Sequence, residues 1–225
     1  MSIKLAVAIA MLVAASTAGA ANLVANGDFE AGNTGFTSGY DYVAPGYGVL
    51  FPEALYTVDT DAQNDHPYFT SYRDHTYGEG LYMIVNGAGV ANDPVWTSMT
   101  IAVEAGRSYD FGAFLSSAYP TSPAQLEFTV TNNLGGIQTL GIFAAPATAG
   151  IWSGVSGRFN TGAATLITLS IVNQNIEFSG NDFGIDDISL TAAAVPEPAS
   201  WAMLLSGFAL VGAAARRRRL VPVKA

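Results

Sequence analysis

The chain contains no cysteine, and that absence removes disulfide staples, a thiol nucleophile, thiolate zinc sites and iron–sulfur clusters together. Charge is scarce too: Asp, Glu, Lys and Arg make up 12% of the sequence. Between residues 22 and 194 the positive side chains are Arg73, Arg107 and Arg158 against 17 acidic ones, a balance of −14. Binding a polyanion by neutralising phosphates requires a basic face, so nucleic acid is excluded as a partner. The chain also lacks an HExxH pattern, a Walker A loop and a dinucleotide-binding glycine pattern. Ser156, in Gly154-Val155-Ser156-Gly157-Arg158, misses the G-x-S-x-G elbow because its closing glycine is displaced. No recognisable acid and nucleophile context marks a hydrolase, and the expectation is a protein that is not an enzyme.

What is present favours strands. Gly 24, Tyr 10 and Phe 12, with abundant Thr, Ser and Asn, suit short β-strands joined by turns. Runs rich in β-branched and aromatic residues fall at 54–58, 80–85, 95–103, 108–115, 125–131, 136–142, 151–159, 165–172 and 183–191. In Leu126-Glu127-Phe128-Thr129-Val130 apolar and polar residues alternate, so one strand face is buried and the other wet. Glu104-Ala105-Gly106-Arg107 and Asn132-Asn133-Leu134-Gly135-Gly136 read as hairpin turns. The fold class is all-β, an antiparallel β-sandwich of meander or jelly-roll type. Segment 40–77 breaks the pattern: seven tyrosines, many acids and both histidines with little periodicity. It reads as long loops around one or two strands, too aromatic for disorder and long enough to bind something.

Both ends read as addresses. Residues 1–21 carry Lys4, an apolar run and the small-residue finish Ala18-Gly19-Ala20, the form of a secretory signal peptide. Residues 195–225 open on Pro196, Glu197 and Pro198, continue through an apolar stretch at 199–215, and close on Arg216, Arg217, Arg218 and Arg219. A helix of 17 residues reaches about 25 Å, just short of a hydrocarbon core of about 30 Å. This is a marginal transmembrane helix, with its arginines held on the cytoplasmic side. Residues 22–194 are then the exported domain.

The Pro-Glu-Pro motif, the Trp-containing apolar helix and the arginine cluster, in that order, resemble the PEP-CTERM sorting signal. The resemblance implies a Gram-negative exopolysaccharide producer and an exosortase-type enzyme that removes the tail near Pro196, Glu197 and Pro198, so that residues 199–215 sit only transiently in the inner membrane. Asn22-Leu23-Val24-Ala25-Asn26-Gly27-Asp28-Phe29-Glu30, the span from Trp96 through Ile101 to Tyr109, and Asn181-Asp182-Phe183-Gly184-Ile185-Asp186-Asp187-Ile188-Ser189-Leu190 together resemble the galactose-binding-like jelly rolls, carbohydrate-binding modules among them. That resemblance implies a structural Ca²⁺ tying the first strand to the last through Glu30 and Asp186, with Asp28 and Asp187 as substitutes. Ca²⁺ takes six to eight oxygens, carboxylates mixed with carbonyls, and a cysteine-free exported domain gains from such a clip.

Other constellations are weaker. The acids of Asp59-Thr60-Asp61-Ala62-Gln63-Asn64-Asp65 are spaced like the start of an EF-hand loop, but Asn64 and Thr70 stand where Gly and Glu are needed. Asp65-His66 and Asp74-His75 could form Asp–His pairs, though loop histidines at the surface are the simpler expectation. Sugar rings are held by flat aromatic faces with polar groups for their hydroxyls. Tyr68, Tyr72, Tyr77 and Arg73 are the candidate ligand-binding residues, while Trp96 and Trp152 read as core. The expected function is weak binding of exopolysaccharide or another glycan at the cell surface or in the matrix. A structural or adhesive matrix protein without a sugar site is the second reading, and a glycoside hydrolase the third.

Overall fold

A computed structural model describes residues 20–76, 78–90, 92–194 and 198–218. In chain order the elements are β1 (Phe36–Thr37), β2 (Asp41–Tyr42), β3 (Leu55–Asp59), α1 (Ala62–Asp65), β4 (Tyr82–Asn86), β5 (Pro94–Ser98), β6 (Ile101–Ala102), β7 (Ser108–Ser117), β8 (Gln125–Asn132), β9 (Ile137–Ala144), β10 (Ser153–Asn160), β11 (Leu166–Asn173), β12 (Phe183–Ala192) and α2 (Pro198–Arg218). One sheet runs β1-β5-β11-β8-β9, with β6 also on β11, and the other runs β10-β7-β12-β4-β3-β2. Every pair is antiparallel except β2 with β3. The architecture is the all-β sandwich that strand periodicity predicts.

Alternation decides which face each strand buries. Leu126, Phe128 and Val130 of β8, and Ile167, Leu169 and Ile171 of β11, turn inward from one sheet. Tyr109, Phe111, Ala113 and Leu115 of β7 meet them from the other, with the Phe111 and Phe128 rings 4.7 Å apart across the interface. Trp96, 1% exposed, packs near Phe36 at 6.5 Å, so it is core as expected.

The chain entrance is fastened to the exit. Asn22 donates its amide to the Ile188 carbonyl and accepts from the Leu190 N–H, and the Leu23 N–H reaches the Leu190 carbonyl. A Cβ at Gly27 would lie 2.0 Å from the Ile188 oxygen, so only glycine lets these backbones approach this closely.

All nine sequence-predicted strands form, with two local corrections. The run 95–103 is two strands, because β5 and β6 pair with different parts of β11 and the chain bows out between them at exposed Met99. Turn 104–107 is not a hairpin turn: β6 lies in one sheet and β7 in the other, so the turn carries the chain across the sandwich. Turn 132–136 does join a hairpin, β8 to β9. There the Asn132 side chain accepts from Leu134 and Gly136 N–H groups, and Gly135 supplies a φ of 82°.

The stretches on either side of β3, 43–54 and 60–72, form a third layer. Leu50, Ala62, Phe69 and Tyr72 pack on Tyr82 and Ile84, the outward-facing residues of β4, and make a second apolar cluster outside the sandwich. The acid-rich stretch is not a cation loop here: Asp61 caps α1 by accepting the Gln63 N–H at 3.0 Å, a common task for Asp.

At the C-terminus α2 forms where the spanning helix is expected, but among the described residues no helix is long and apolar enough to cross a membrane. The apolar stretch stops at Ala215, and Ser200, Ser206, Gly207 and Gly212 dilute it. The signal peptide expected at the start falls on residues of which 1–19 lie outside the described ones.

Trp96→Ala is expected to lower unfolding free energy by about 3–5 kcal/mol, whereas Tyr68→Ala at the surface changes it by ~0.5 kcal/mol or less. Urea unfolding followed by fluorescence checks both.

Candidate functional site

Loops before β3, after α1, after β7 and before β12 converge at one end of the second sheet, where they enclose a cleft of about 200 Å³. Its rim is aromatic: Phe51, Tyr68 and Phe178 are 53%, 72% and 78% exposed. His66 and Phe69 stack at 4.3 Å beneath them, and Phe51 lies 4.8 Å from His66 and 6.4 Å from Tyr68. Two carboxyls, Glu53 and Asp182, line the cleft as well.

Each wall is fixed by backbone hydrogen bonds. Asn86 donates to the Leu50 carbonyl at 2.6 Å, which sets the chain approaching Phe51. The loop carrying Phe178 is held by Asn175, whose amide donates to Ser122 and Pro123 carbonyls, and by Asn181, which donates to the Ala88 and Asn175 carbonyls. A Cβ at Gly180 would fall 1.8 Å from the Thr121 oxygen, and its φ of +103° suits glycine alone. Asp182 accepts the Gly87 N–H at 3.1 Å.

Burial dominates the electrostatics. Asp182, 6% exposed, has its pKa pushed up to about 7 by desolvation, against the opposing Gly87 hydrogen bond and with a further push from Glu53. Desolvation raises Glu53 too, and its Oε2 is buried without a hydrogen-bond donor. Tyr40, whose hydroxyl accepts the Ala88 N–H, is pushed up to about 12, mainly by burial. Burial lowers the His66 pKa, in keeping with its Nδ1 accepting the Tyr68 N–H at 3.3 Å. A larger depression of about 590 Å³ beside Tyr47 and Asp59 is broad and shallow and offers one aromatic ring.

The residues named from sequence scatter. Tyr68 stands on the rim. Tyr72 is buried, 8% exposed, against Tyr82 and Trp152, and so is a packing residue and not a ligand contact. Arg73 is exposed, and its carbonyl accepts the Trp152 indole N–H at 2.8 Å. Tyr77 lies outside the described residues. Neither histidine is a simple surface residue: His66 is buried, and His75 pairs with Asp187 at 2.6 Å and stacks on Phe114. Phe51 and Glu53 come from the loop before β3 and Phe178 and Asp182 from the loop before β12, two distant loops without a shared motif, and no sequence signal joins them.

The four acids named for Ca²⁺ also separate. Glu30 accepts the Leu81 N–H at 3.0 Å and Asp186 the His75 N–H at 2.8 Å, so the two grip opposite ends of loop 74–81. Asp186 is fully buried, and desolvation pushes its pKa up to about 7 against hydrogen bonds from His75 and Asp187 N–H groups. Asp187 holds His75 and Thr76, and Asp28 sits in turn 25–28. Among the described residues no three His, Asp or Glu side chains are grouped to hold a metal ion. Asp186 offers hard oxygens of the kind Ca²⁺ takes, but Oδ2 already accepts the His75 N–H and Oδ1 the Asp187 N–H.

The sandwich is of the kind found in carbohydrate-binding modules. It is similar to the CBM22-1 xylan-binding domain of Paenibacillus barcinonensis Xyn10C, at 14% identity and TM-score 0.50 over 80% of this chain and all of that one. It is also similar to an arabinose-bound MgGH51 α-L-arabinofuranosidase, at 14% identity and TM-score 0.53, covering 80% of this chain and 28% of the enzyme. A third likeness is to the enzymatically active domain of bacteriophage CBA120 tailspike protein 4, at 15% identity and TM-score 0.50, covering 76% of this chain and 21% of that one. Residues 194–219 match the PEP-CTERM protein-sorting motif, which marks an exported protein. A search of curated protein sequences finds no match. Of that motif, Pro196, Glu197 and Arg219 lie outside the described residues, while α2 spans Pro198–Arg218.

Asp65, Asp182 and Asp186 each move from an ordinary 3.8 to about 7 in the folded chain. A folded state that holds these protons more tightly is favoured below the unfolded value and loses that advantage as pH rises toward the folded one. The melting temperature is expected to carry a falling component between about pH 4 and about pH 7. Asp186→Asn removes its share, flattening the profile by about 2–4 °C per kcal/mol of linkage lost, as scanning calorimetry across that range will show.

Proposed function

We propose that the chain is an exported, non-catalytic carbohydrate-binding protein of the cell envelope or extracellular matrix of a Gram-negative bacterium. In this reading an exosortase processes the C-terminal segment, and exopolysaccharide is the glycan bound. The observation that carries it is the cleft: exposed Phe51, Tyr68 and Phe178 around two carboxyls, on a sandwich of the carbohydrate-binding-module kind. Aromatic faces stack on the C–H faces of a sugar ring while carboxyl oxygens take its hydroxyls. A volume of about 200 Å³ is below the about 300–1,000 Å³ usual for drug-sized ligands, which suits one ring or a chain end.

Phe51→Ala, Tyr68→Ala and Phe178→Ala are each expected to weaken glycan binding about tenfold, the loss of ~1–2 kcal/mol of ring contact, without lowering stability. Tyr72→Ala is expected to destabilise instead. Calorimetric titration against extracted exopolysaccharide and a neutral glycan panel tests this. Absence of saturable binding to any glycan moves the reading to a structural or adhesive matrix protein, and release of reducing sugar would replace it with a hydrolase. Deletion of 195–225 is expected to misdirect the protein, and unchanged localisation would defeat the sorting argument.

A structural Ca²⁺ at Glu30 and Asp186 belongs to the same proposal, supported by the buried Asp186 carboxylate and the grip of both acids on loop 74–81. Added Ca²⁺ is expected to raise the melting temperature, and the double substitution Glu30→Ala and Asp186→Ala to abolish that rise. A rise that survives the substitutions takes these residues out of the site.

A further inference from the structure

Resting on the carbohydrate reading, we infer that the cleft selects a sugar unit carrying a protonated amino group, with the ammonium against Glu53 and Asp182 and the ring on Phe51, Tyr68 or Phe178. The polar equipment of the cleft points to a donor. Its amide donor is already in use, since Asn86 Nδ2 is given to the Leu50 carbonyl, and His66 Nδ1 accepts from the Tyr68 N–H. Beside the hydroxyls of Tyr68, Tyr119 and Ser179 and the Nε2–H that this tautomer leaves on His66, two carboxyl oxygens remain as acceptors: the Glu53 Oε2, buried without a donor, and the second oxygen of Asp182, whose first takes the Gly87 N–H. Among the described residues lining the cleft there is no Lys or Arg.

Two carboxyls in one desolvated place resist joint ionisation, and Glu53 indeed adds to the upward push on Asp182. A neutral hydroxyl leaves that conflict in place. An ammonium removes it, donating up to three charge-assisted hydrogen bonds, each about twice as strong as a neutral one. The exposed rings add a cation–π attraction to the same group. At longer range the −14 balance over residues 22–194 draws in a cationic glycan and repels a uronate-rich one.

The test is titration of the purified full chain with four tetrasaccharides: β-1,4-linked glucosamine, its fully N-acetylated counterpart, a neutral xylose tetramer and a uronate tetramer. The glucosamine form is expected to bind at least about tenfold more tightly than the N-acetylated form, the equivalent of one charged hydrogen bond. Glu53→Gln and Asp182→Asn should each erase most of that preference, read as the ratio of the amino-form to the N-acetylated affinity. Asn at 182 keeps an oxygen for the Gly87 N–H. Glu127→Gln, on the outer face of the other sheet, should leave the preference intact, and an equal loss there would mean diffuse attraction and overturn the inference. Equal binding of the amino and N-acetylated forms would also overturn it while leaving the sugar site standing. Binding of none of the four, with none to extracted exopolysaccharide, would remove both.

Discussion

Tyr82 is the side chain on which the outer layer depends. It is fully buried on the outward face of β4, and its hydroxyl accepts the Ala62 N–H at 2.8 Å while donating to the Tyr72 carbonyl at 2.9 Å. One phenol thereby fixes both ends of a segment that runs from the start of α1 to the edge of loop 74–81. Its ring meets Tyr72 at 5.2 Å and Trp152 at 5.4 Å. Without that anchor, segment 62–72 would have no reason to lie on the sheet, and His66, Tyr68 and Phe69 would not reach Phe51.

The sandwich beneath is held differently, by alternation. Strands β7, β8 and β11 present apolar residues at every second position to the facing sheet, and more polar ones to the other side. In the cysteine-free chain the covalent staple is replaced by a hydrogen-bonded one: Asn22 and Gly27 lace the entrance onto β12, and Glu30 with Asp186 secures loop 74–81 across the same region. These contacts gather the start, middle and end of the domain around one strand. The site sits away from them, where four loops converge and side chains are less constrained by the strand period.

Several acids in this protein serve as acceptors for backbone N–H groups. Asp61 caps α1, Asp65 accepts from Gly46, Asp74 from Gly80 and Asp182 from Gly87. That use explains why so acidic a domain keeps carboxyls buried: each substitutes for a strand partner that a loop backbone lacks. It also makes these loops sensitive to protonation, because the same burial that orders them raises several of the pKa values.

The sequence by itself determined the strands, the sandwich class and the sorting motif, since a period of two, turn residues such as Asn132 to Gly136, and an ordered Pro-Glu-Pro, helix and arginine series are local signals. It also placed Trp96 in the core. Only the tertiary structure decided that Tyr72 turns inward, that His75 meets Asp187 in place of Asp74, and that turn 104–107 changes sheets. The cleft belongs wholly to that second class: Phe51, Glu53, Phe178 and Asp182 become neighbours through loop closure across more than a hundred residues. No local pattern records such closure, because the energy that enforces it is the burial of Leu50, Phe69 and Tyr72 on Tyr82 and Ile84.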